Sequence, residues 1–432
     1  MLRRNGPRSS CSPERARSRD VTGSDRPRDG QATVPTPILE GLRVVELSAF
    51  VAAPLGGATL ASLGAEVVRV DPIGGGIDID RWPLHRGESL YWAGLQQGKR
   101  SAAIDTRHPE GEALVARLVA KAGILLTNLP ARGALTYARL REVRPDLIMV
   151  AIGGASDGTI AVDYTVNAGI GFPWVTGPKG HDGPVNHVLP AWDALTGYLA
   201  ATGILAAELR RRETGAGQLI TLNLADVALS IAGSLGLLAE AKLVAEPRGR
   251  YGNHLFGSYG RDFRTSDGRY AMVVALTRRQ WQSLVKATEI EDTVAALESR
   301  GLDLDREADR FAARAEISAS LETWFASRTL AEVAAAFSAA NVLWGPYRTF
   351  KELVDDELTR PRRNPIVHEV EQPGVGTYPR VGSPLLFDGA ADVMPGRAPA
   401  LGEDTTAVLS SWLGMSDAEI ERYARDGVIR AR

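Results

Sequence analysis

The chain has 432 residues, and its 50 lysine and arginine residues are nearly balanced by 52 aspartate and glutamate residues, which gives a formal net charge of −2. This balance excludes the general attraction to nucleic acid or to anionic membranes that strongly basic chains have. The length is sufficient for two domains or for one large elaborated domain.

The use of cysteine and histidine argues against disulfides and against a metal site. The single cysteine, Cys11, cannot form a disulfide within the chain, which fits a reducing cytoplasm. The six histidines show no H-x-x-x-H pair or similar ligand spacing, and no apolar run approaches the length of a membrane span. We therefore expect a cytoplasmic protein with no nucleic-acid, membrane or metal partner and no permanently bound cofactor.

Residues 1–37 differ in composition from the rest of the chain. They are rich in Arg, Ser, Pro, Asp and Gly and have almost no bulky apolar side chains. Such a segment cannot bury enough apolar surface to offset the entropy that ordering costs. It also has neither the apolar core of a secretory signal nor the acid-poor composition of a transit peptide. We predict a disordered tail.

From residue 38 the pattern is that of an α/β fold. A buried strand, a small-residue loop and a helix ending near Gly64 precede a second strand, and this β-α-β unit predicts a parallel sheet covered by helices. A later helix is opened by Pro109 and has one apolar face. The five strands predicted in this doubly wound half are 42–47, 66–71, 101–104, 124–128 and 147–152.

The rest of the chain predicts the end of this large domain and then a smaller one. An Ala/Leu-rich helix at 192–212, a strand at 218–222 and a second Ala/Leu-rich helix at 224–243 come first. After Tyr270 the pattern is that of a smaller α+β unit. The predicted divisions are the tail at 1–37, a large domain at 38–235, a small domain at 236–360, and a Pro-rich connector with a C-terminal segment at 361–432.

Asp163 stands where the strand 147–152 has passed through a Gly-rich loop and a new helix begins. A carboxylate at a helix start is expected to be ionised, exposed and close to unpaired backbone N–H donors. Those are conditions in which a carboxylate can attack an acyl group. The alternative interpretation is an N-cap that stabilises its own helix by about 1 kcal/mol.

The first turn of the predicted sheet argues against a dinucleotide site. Asp71 closes the second strand, where an NAD-binding acid is usual, but the loop 48–57 lacks G-x-G-x-x-G and has Pro54 where a pyrophosphate would approach. Three glycines at 74–76 instead allow a phosphate group to come close. Four cations that lie nearby in sequence are suited to charge-assisted phosphate binding: Arg69, Arg81, Lys99 and Arg100. For Lys99 and Arg100 the alternative is a solvated surface pair.

Taken in order, several segments resemble the class III coenzyme A transferases, the family that includes formyl-CoA transferase and carnitine CoA-transferase. The resemblance covers essentially everything after residue 38, and no single motif in it is as specific as a P-loop. The matching segments are 42–54, 63–70, 98–101, Asn128 with 133–135, Asp163 with its glycine-bearing helix, 214–218, and the ending from 399–403 through 427–429.

The resemblance implies a fold, a substrate and a nucleophile. The fold is a Rossmann-like large domain built from both chain ends plus a smaller α+β domain, in a ring-shaped monomer that interlocks with a second copy as a homodimer. The substrate is an acyl-CoA, with coenzyme A bound as part of it, and Asp163 matches the family's nucleophilic aspartate. Positions matched to CoA contacts are Val51, Asn128 and Arg132, in addition to the four cations above.

Three segments, 50–57, 162–167 and 185–193, look like a branch of this family that moves CoA between the two carboxyl groups of one dicarboxylic acid. Val51 departs from formyl-CoA transferase-like members, which have glutamine there. In this branch Asp163 would form an anhydride and then a CoA thioester, and no proton needs to leave carbon. Residues that could hold the free carboxylate are His187, Arg261 and Arg348, among which the sequence does not choose.

Three alternatives remain open. One is a two-substrate transferase that exchanges CoA between dicarboxylic acids. Another is a 2-methylacyl-CoA racemase, which needs a histidine base some thirty residues before the aspartate, whereas no histidine lies between His108 and His181. The third is a non-enzymatic CoA-binding protein, which would have the cations but no need for Asp163.

Overall fold

The computed structural model describes residues 35–246, 248–360 and 364–431. The predicted disordered tail lies outside the described residues as far as residue 34, and so does Cys11. The last three residues of that prediction are described, and the carbonyl of Thr36 accepts a hydrogen bond of 3.1 Å from the Ala391 amide.

Strands and helices alternate through most of the described chain. The strands are β1 (Arg43–Leu47), β2 (Glu66–Asp71), β3 (Leu84–His85), β4 (Glu88–Ser89), β5 (Arg100–Ile104), β6 (Ile124–Thr127), β7 (Ile148–Gly153), β8 (Gln218–Asn223), β9 (Tyr259–Arg264), β10 (Tyr270–Ala275), β11 (Leu343–Pro346), β12 (Val367–Gln372), β13 (Gly376–Val381) and β14 (Ile429–Arg430). The helices are α1 (Ala52–Ala61), α2 (Leu90–Leu95), α3 (Pro109–Ala122), α4 (Tyr137–Val143), α5 (Asp163–Gly169), α6 (Phe172–Val175), α7 (Ala191–Thr214), α8 (Leu224–Ser234), α9 (Leu237–Leu243), α10 (Arg278–Thr288), α11 (Glu291–Glu298), α12 (Glu307–Ala312), α13 (Arg314–Ala326), α14 (Leu330–Ala340), α15 (Phe350–Thr359), α16 (Thr405–Leu413) and α17 (Asp417–Arg425).

The central feature is a seven-stranded sheet in the order β14-β5-β2-β1-β6-β7-β8. Its strands pair in parallel, except that β14 runs antiparallel to β5. The α/β prediction is therefore confirmed. The chain builds outward from β1 through β2 to β5, and then crosses to the other side of β1 to form β6, β7 and β8. Between β1 and β6 the direction of winding reverses, and ligands of open α/β sheets bind at such a point.

Apolar cores cover both faces of this sheet, which is why its strands are nearly continuous apolar runs. One core joins β-strand residues such as Val45 to Leu118 of α3 and Val408 of α16, so residues from both ends of the chain share it. The other joins Val44 to α1 and α7, whose residues include Leu60 and Ile204. The C-terminal segment is thus part of the same layered unit as β1.

A second, smaller sheet has the order β11-β10-β9 and pairs antiparallel. It has a core of its own, in which Phe263 stacks on Phe325 at a ring distance of 4.7 Å. This sheet begins at β9, before Tyr270, so the α+β pattern starts earlier in the chain than the sequence predicts.

One further prediction needs correction. The single helix predicted at 224–243 is two helices, α8 and α9, because Gly236 between them adopts a φ of 77°. The Pro-rich connector contains an antiparallel hairpin formed by β12 and β13. Within the described ranges, no single helix has the length and apolar character to cross a bilayer, although α8 and α9 together, bent by 66°, meet those two criteria.

Candidate active site

A cavity of about 390 Å³ opens at the carboxyl ends of β1, β6, β7 and β8, beside the point where the winding of the sheet reverses. Gly153 at the end of β7 and Leu224 directly after β8 form part of its wall. The polar and loop side chains that matter for its chemistry are Val51, Arg81, Tyr91, Asn128, Asp163 and Asp193.

Asp163 lies in this cavity as the first residue of α5 and is only 2% exposed. Its Oδ2 accepts hydrogen bonds from the backbone amides of Trp192 at 2.8 Å and Asp193 at 3.2 Å, in the first turn of α7. Its Oδ1 is buried and has no hydrogen-bond partner among the described residues. The carboxylate is therefore neither exposed nor the cap of its own helix, because a different helix supplies the N–H donors.

Close backbone packing brings Asp163 to this position. A Cβ on Gly154 would lie 2.5 Å from the amide nitrogen of Ala161, so the chain leading to α5 can pass directly over the end of β7 only because residue 154 is glycine. On the other side, the indole of Trp192 donates to Asn167 Oδ1 at 3.2 Å and fixes α7 against α5. The carboxylate and its two amide donors are consequently held by rigid elements.

The loop after β1 forms the opposite wall and is held in an unusual conformation. Phe50 has a φ of 64°, which is rare for a residue other than glycine. Its amide donates to both carboxylate oxygens of Asp78, at 3.0 and 3.1 Å. The amide group of Asn128 binds the backbone of Ala49 in both directions, at 2.6 and 2.9 Å. Asn128 thus fixes the loop that presents Phe50 and Val51.

Arg69 and Lys99 do not reach the cavity, and their predicted role in phosphate binding is not supported. The Arg69 guanidinium is buried and pairs with Asp71 at 2.7 Å and with Asp78 at 3.1 Å. The Lys99 ammonium is buried against Glu46 at 2.8 Å, and burial lowers its pKa to about 8, against the influence of Glu46. Both cations have their charges neutralised inside the fold and are not available to a ligand.

The other predicted phosphate ligands differ from one another in their surroundings. Arg100 is half-buried and pairs with Glu66 at 2.7 Å, the first residue of β2, so it ties strands together instead of facing a ligand. Arg132 is exposed on the loop after β6 and forms no ion pair with any described residue. Arg81 lies in the same cavity as Asp163. Arg81 is therefore the one of these predicted ligands that shares a cavity with Asp163.

The three residues predicted for the free carboxylate lie outside the cavity wall. Arg261 is on β9 and pairs with Glu322 at 2.7 Å, and Arg348 pairs with Asp356 at 3.0 Å. His187 packs edge-on against the ring of Trp192, at 6.4 Å between ring centres, and Trp192 in turn donates its backbone amide to Asp163. The structure therefore does not bring these three side chains together with Asp163.

Comparison with known proteins shows the family of the chain. The sequence profile described as CoA-transferase family III matches residues 39–405. The chain belongs to CoA-transferase family III. The resemblance that the sequence motifs indicate is thereby confirmed.

Relatives and solved structures match along almost the whole chain. A 2-methylfumaryl-CoA isomerase from Chloroflexus aurantiacus is 52% identical over 399 residues, which cover 91% of this chain and 98% of the relative. A formyl-CoA:oxalate CoA-transferase from Rhodopseudomonas palustris is 27% identical over 91% of this chain and 97% of its own. The crystal structure of a CAIB/BAIF family protein from Brucella suis superposes with a TM-score of 0.73 at 26% identity, and covers 88% of this chain and 100% of that one.

Sequence reasoning missed three polar residues in and beside this cavity. Asp193 lies in the cavity, and burial together with the negative charge of Asp163 raises its pKa to about 6, while Arg81 acts in the opposite direction. Burial also raises the pKa of Tyr91, whose hydroxyl is buried and without a partner among the described residues. Asp78 holds the Phe50 amide. The run 78–81, with two acids and an arginine after three glycines, was the only signal for Asp78.

No group of three or more His, Cys, Asp or Glu side chains in the described part of the chain is arranged to hold a metal ion.

Proposed function

We propose that the protein converts 2-methylfumaryl-CoA, with CoA on C1 of the mesaconyl group, into 3-methylfumaryl-CoA, with CoA on C4. The transfer is intramolecular because the acid that gives up CoA recovers it at its other carboxyl group within the same site. The 52% identical relative named 2-methylfumaryl-CoA isomerase supports this substrate. The observation that carries the chemistry is Asp163, buried in the cavity with one carboxylate oxygen bound by two amides and the other unpartnered.

In the first half of the reaction Asp163 Oδ1 attacks the C1 thioester carbonyl. The carbon–sulfur bond breaks, CoA leaves as a thiolate, and a mixed anhydride joins Asp163 to C1. The thiolate then attacks the carboxyl carbon of Asp163, and the bond from that carbon to the bridging oxygen breaks. Mesaconate is released within the site with two carboxylates, and Asp163 becomes a CoA thioester. Covalent catalysis of this kind divides one difficult transfer into easier steps.

The second half repeats these steps from the other end of the acid. A C4 carboxylate oxygen attacks the carboxyl carbon of Asp163 and displaces the thiolate, which gives an anhydride through C4. The thiolate attacks C4, the bond from C4 to the Asp163 oxygen breaks, and the aspartate carboxylate is regenerated. No proton leaves carbon and no electron is transferred, so the cycle needs neither a strong base nor a redox cofactor.

The first turn of α7 supplies the electrostatic stabilisation that these steps need. Each time a nucleophile adds to the carboxyl carbon of Asp163, negative charge develops on Oδ2. That oxygen already accepts from the amides of Trp192 and Asp193, and the positive end of the helix dipole lies behind them. Preorganised donors at a developing oxyanion commonly contribute about 100- to 1000-fold in rate.

The remaining parts of the proposal concern assembly and CoA binding. The protein acts in the cytoplasm as an interlocked homodimer of ring-shaped monomers, with a small domain at 236–360 and a large Rossmann-like domain formed by 38–235 together with the C-terminal part of 361–432. Arg132, exposed beside the carboxyl end of β6, binds a CoA phosphate. Val51, which lines the cavity, gives the acyl group an apolar contact. A racemase is disfavoured because no histidine is among the described residues that line the cavity.

The experiment is to incubate the purified protein with C1-mesaconyl-CoA alone and to follow products by chromatography and mass spectrometry. We expect the C4 isomer without added acid, and hydroxylamine should trap the CoA thioester of Asp163. Asp163→Asn should reduce the rate by at least about 1000-fold, whereas Asp182→Asn, at an exposed residue outside the cavity, serves as the matched control. Strict dependence on an added carboxylic acid would show a two-substrate transferase instead. The proposal would be refuted if the wild-type protein formed no isomer and hydroxylamine trapped no CoA thioester of Asp163.

A further inference from the structure

Arg81 is the one cation among the described residues that line the cavity, and its guanidinium forms no ion pair with any of them. An arginine with free donors in a concave site is unusual unless a ligand completes it, because its fork of N–H groups matches a carboxylate. The other arginines and lysines considered for the substrate are paired or lie elsewhere.

The position of Arg81 is fixed by aromatic rings, not by carboxylates. Its guanidinium carbon lies 5.0 Å from the centre of the Phe50 ring and 4.9 Å from that of Tyr91. Phe50 is held by Asp78 through its amide, so the surface on which Arg81 stacks is itself preorganised. Stacking occupies the faces of the guanidinium and leaves the N–H groups at its edge for a ligand.

The charges of the side chains that line the cavity also favour a carboxylate ligand for Arg81. Asp163 and Asp193 both line the cavity, and a dicarboxylic acyl-CoA brings a further carboxylate into it. Without a cation, that carboxylate would face two acidic side chains at low dielectric. The field of Arg81 reaches this region, since it opposes the rise in the pKa of Asp193 that burial and Asp163 cause.

We propose that Arg81 binds whichever carboxylate of the acid is not reacting, and that it thereby selects dicarboxylic over monocarboxylic acyl groups. The inference rests on the proposed function and deepens it. In the first half of the reaction Arg81 binds the C4 carboxylate while C1 reacts at Asp163. After the acid turns end for end, it binds the C1 carboxylate while C4 reacts. One cation serves both halves because the two ends of mesaconate carry the same group, and it keeps the acid in the site between them.

The test compares Arg81→Met and Arg81→Lys with wild type on two thioesters. Mesaconyl-CoA carries the second carboxylate, whereas methacrylyl-CoA has the same carbon skeleton without it. For Arg81→Met we expect kcat/KM for isomerisation to fall about 100-fold or more, since a charge-assisted, two-pronged contact is lost. The rate at which methacrylyl-CoA labels Asp163 with CoA should change less than threefold, and Arg81→Lys should recover part of the loss. Arg107→Met, at an exposed arginine on the loop after β5, is the matched control.

Retention of the acid gives a second readout. With Arg81→Met, a single turnover of mesaconyl-CoA should release free mesaconate into solution and leave the enzyme as its CoA thioester, which intact-mass measurement detects. Wild type should release little. Equal losses with both thioesters, or no loss with mesaconyl-CoA, would overturn the inference while leaving the proposed function intact. Failure of wild type to label Asp163 at all would instead count against the proposed function. Thermal unfolding checks that the variants fold.

Discussion

The Asp193 carboxyl offers a direct test of the electrostatics in the cavity. Burial, and then the charge of Asp163, raise its pKa from 3.8 to about 6, while Arg81 lowers it. Between these two pH values the folded protein keeps a proton that the unfolded chain has lost. Stability therefore falls as the pH rises from about 4 to about 6, and it does not fall in this way for Asp193→Asn.

The size of the effect follows from the shift. About two pKa units correspond to roughly 3 kcal/mol if the group were fully buried. Because Asp193 is only partly buried and solvent screens it, about 1–2 kcal/mol is the better expectation. The free energy of unfolding of Asp193→Asn, relative to wild type, should therefore rise by about 1–2 kcal/mol as the pH increases from 4 to 7. The backbone amide that binds Asp163 is present in both proteins, so the substitution isolates the carboxyl.

Urea unfolding, followed by tryptophan fluorescence at one protein concentration and several pH values, measures this difference. Comparing the variant with wild type cancels the titration of the other groups. In an Asp163→Asn background the pH-dependent gain should shrink, because one cause of the raised pKa has been removed. A stability difference that is constant from pH 4 to pH 7, or that grows toward acid, would refute the reasoning.

Two further predictions concern the supports of the site. Lys99→Met should lower the free energy of unfolding by about 3 kcal/mol, because it leaves Glu46 buried without its ammonium partner. Adding Glu46→Gln to this variant should recover part of the lost stability. Urea titration of the single and double variants measures both effects. Asp78→Ala should lower kcat/KM about tenfold or more, since it removes the acceptor that holds the Phe50 amide in a backbone conformation costing on the order of 1–3 kcal/mol, and also a carboxylate that pairs with the buried Arg69. Asp78→Asn, which keeps one acceptor, should lose less; steady-state assays that rank the two equally would contradict this account.

The sequence alone was sufficient for the α/β fold class and for the family, and it singled out Asp163 as the predicted nucleophile. Periodicity and chain order located the strands of the parallel sheet from β1 to β8, because buried parallel strands are apolar on both faces and stand out as runs. The position of Asp163 after a strand and a Gly-rich loop, together with the ordered segments of the family, predicts that it is the nucleophile, and Asp163 lines the cavity of the structure. These are properties of short segments, which local sequence records.

Only the tertiary structure decided which charges line the cavity. Arg69, Arg81 and Lys99 look alike as cations in sequence, yet two are neutralised inside the fold and one opens into the cavity. Their fates depend on partners such as Glu46 and Asp78, which meet them through the packing of separate strands and loops. The donors to Asp163 likewise come from α7, some thirty residues later. Long-range packing, not local sequence pattern, therefore brings the Asp163 carboxylate to its backbone N–H donors.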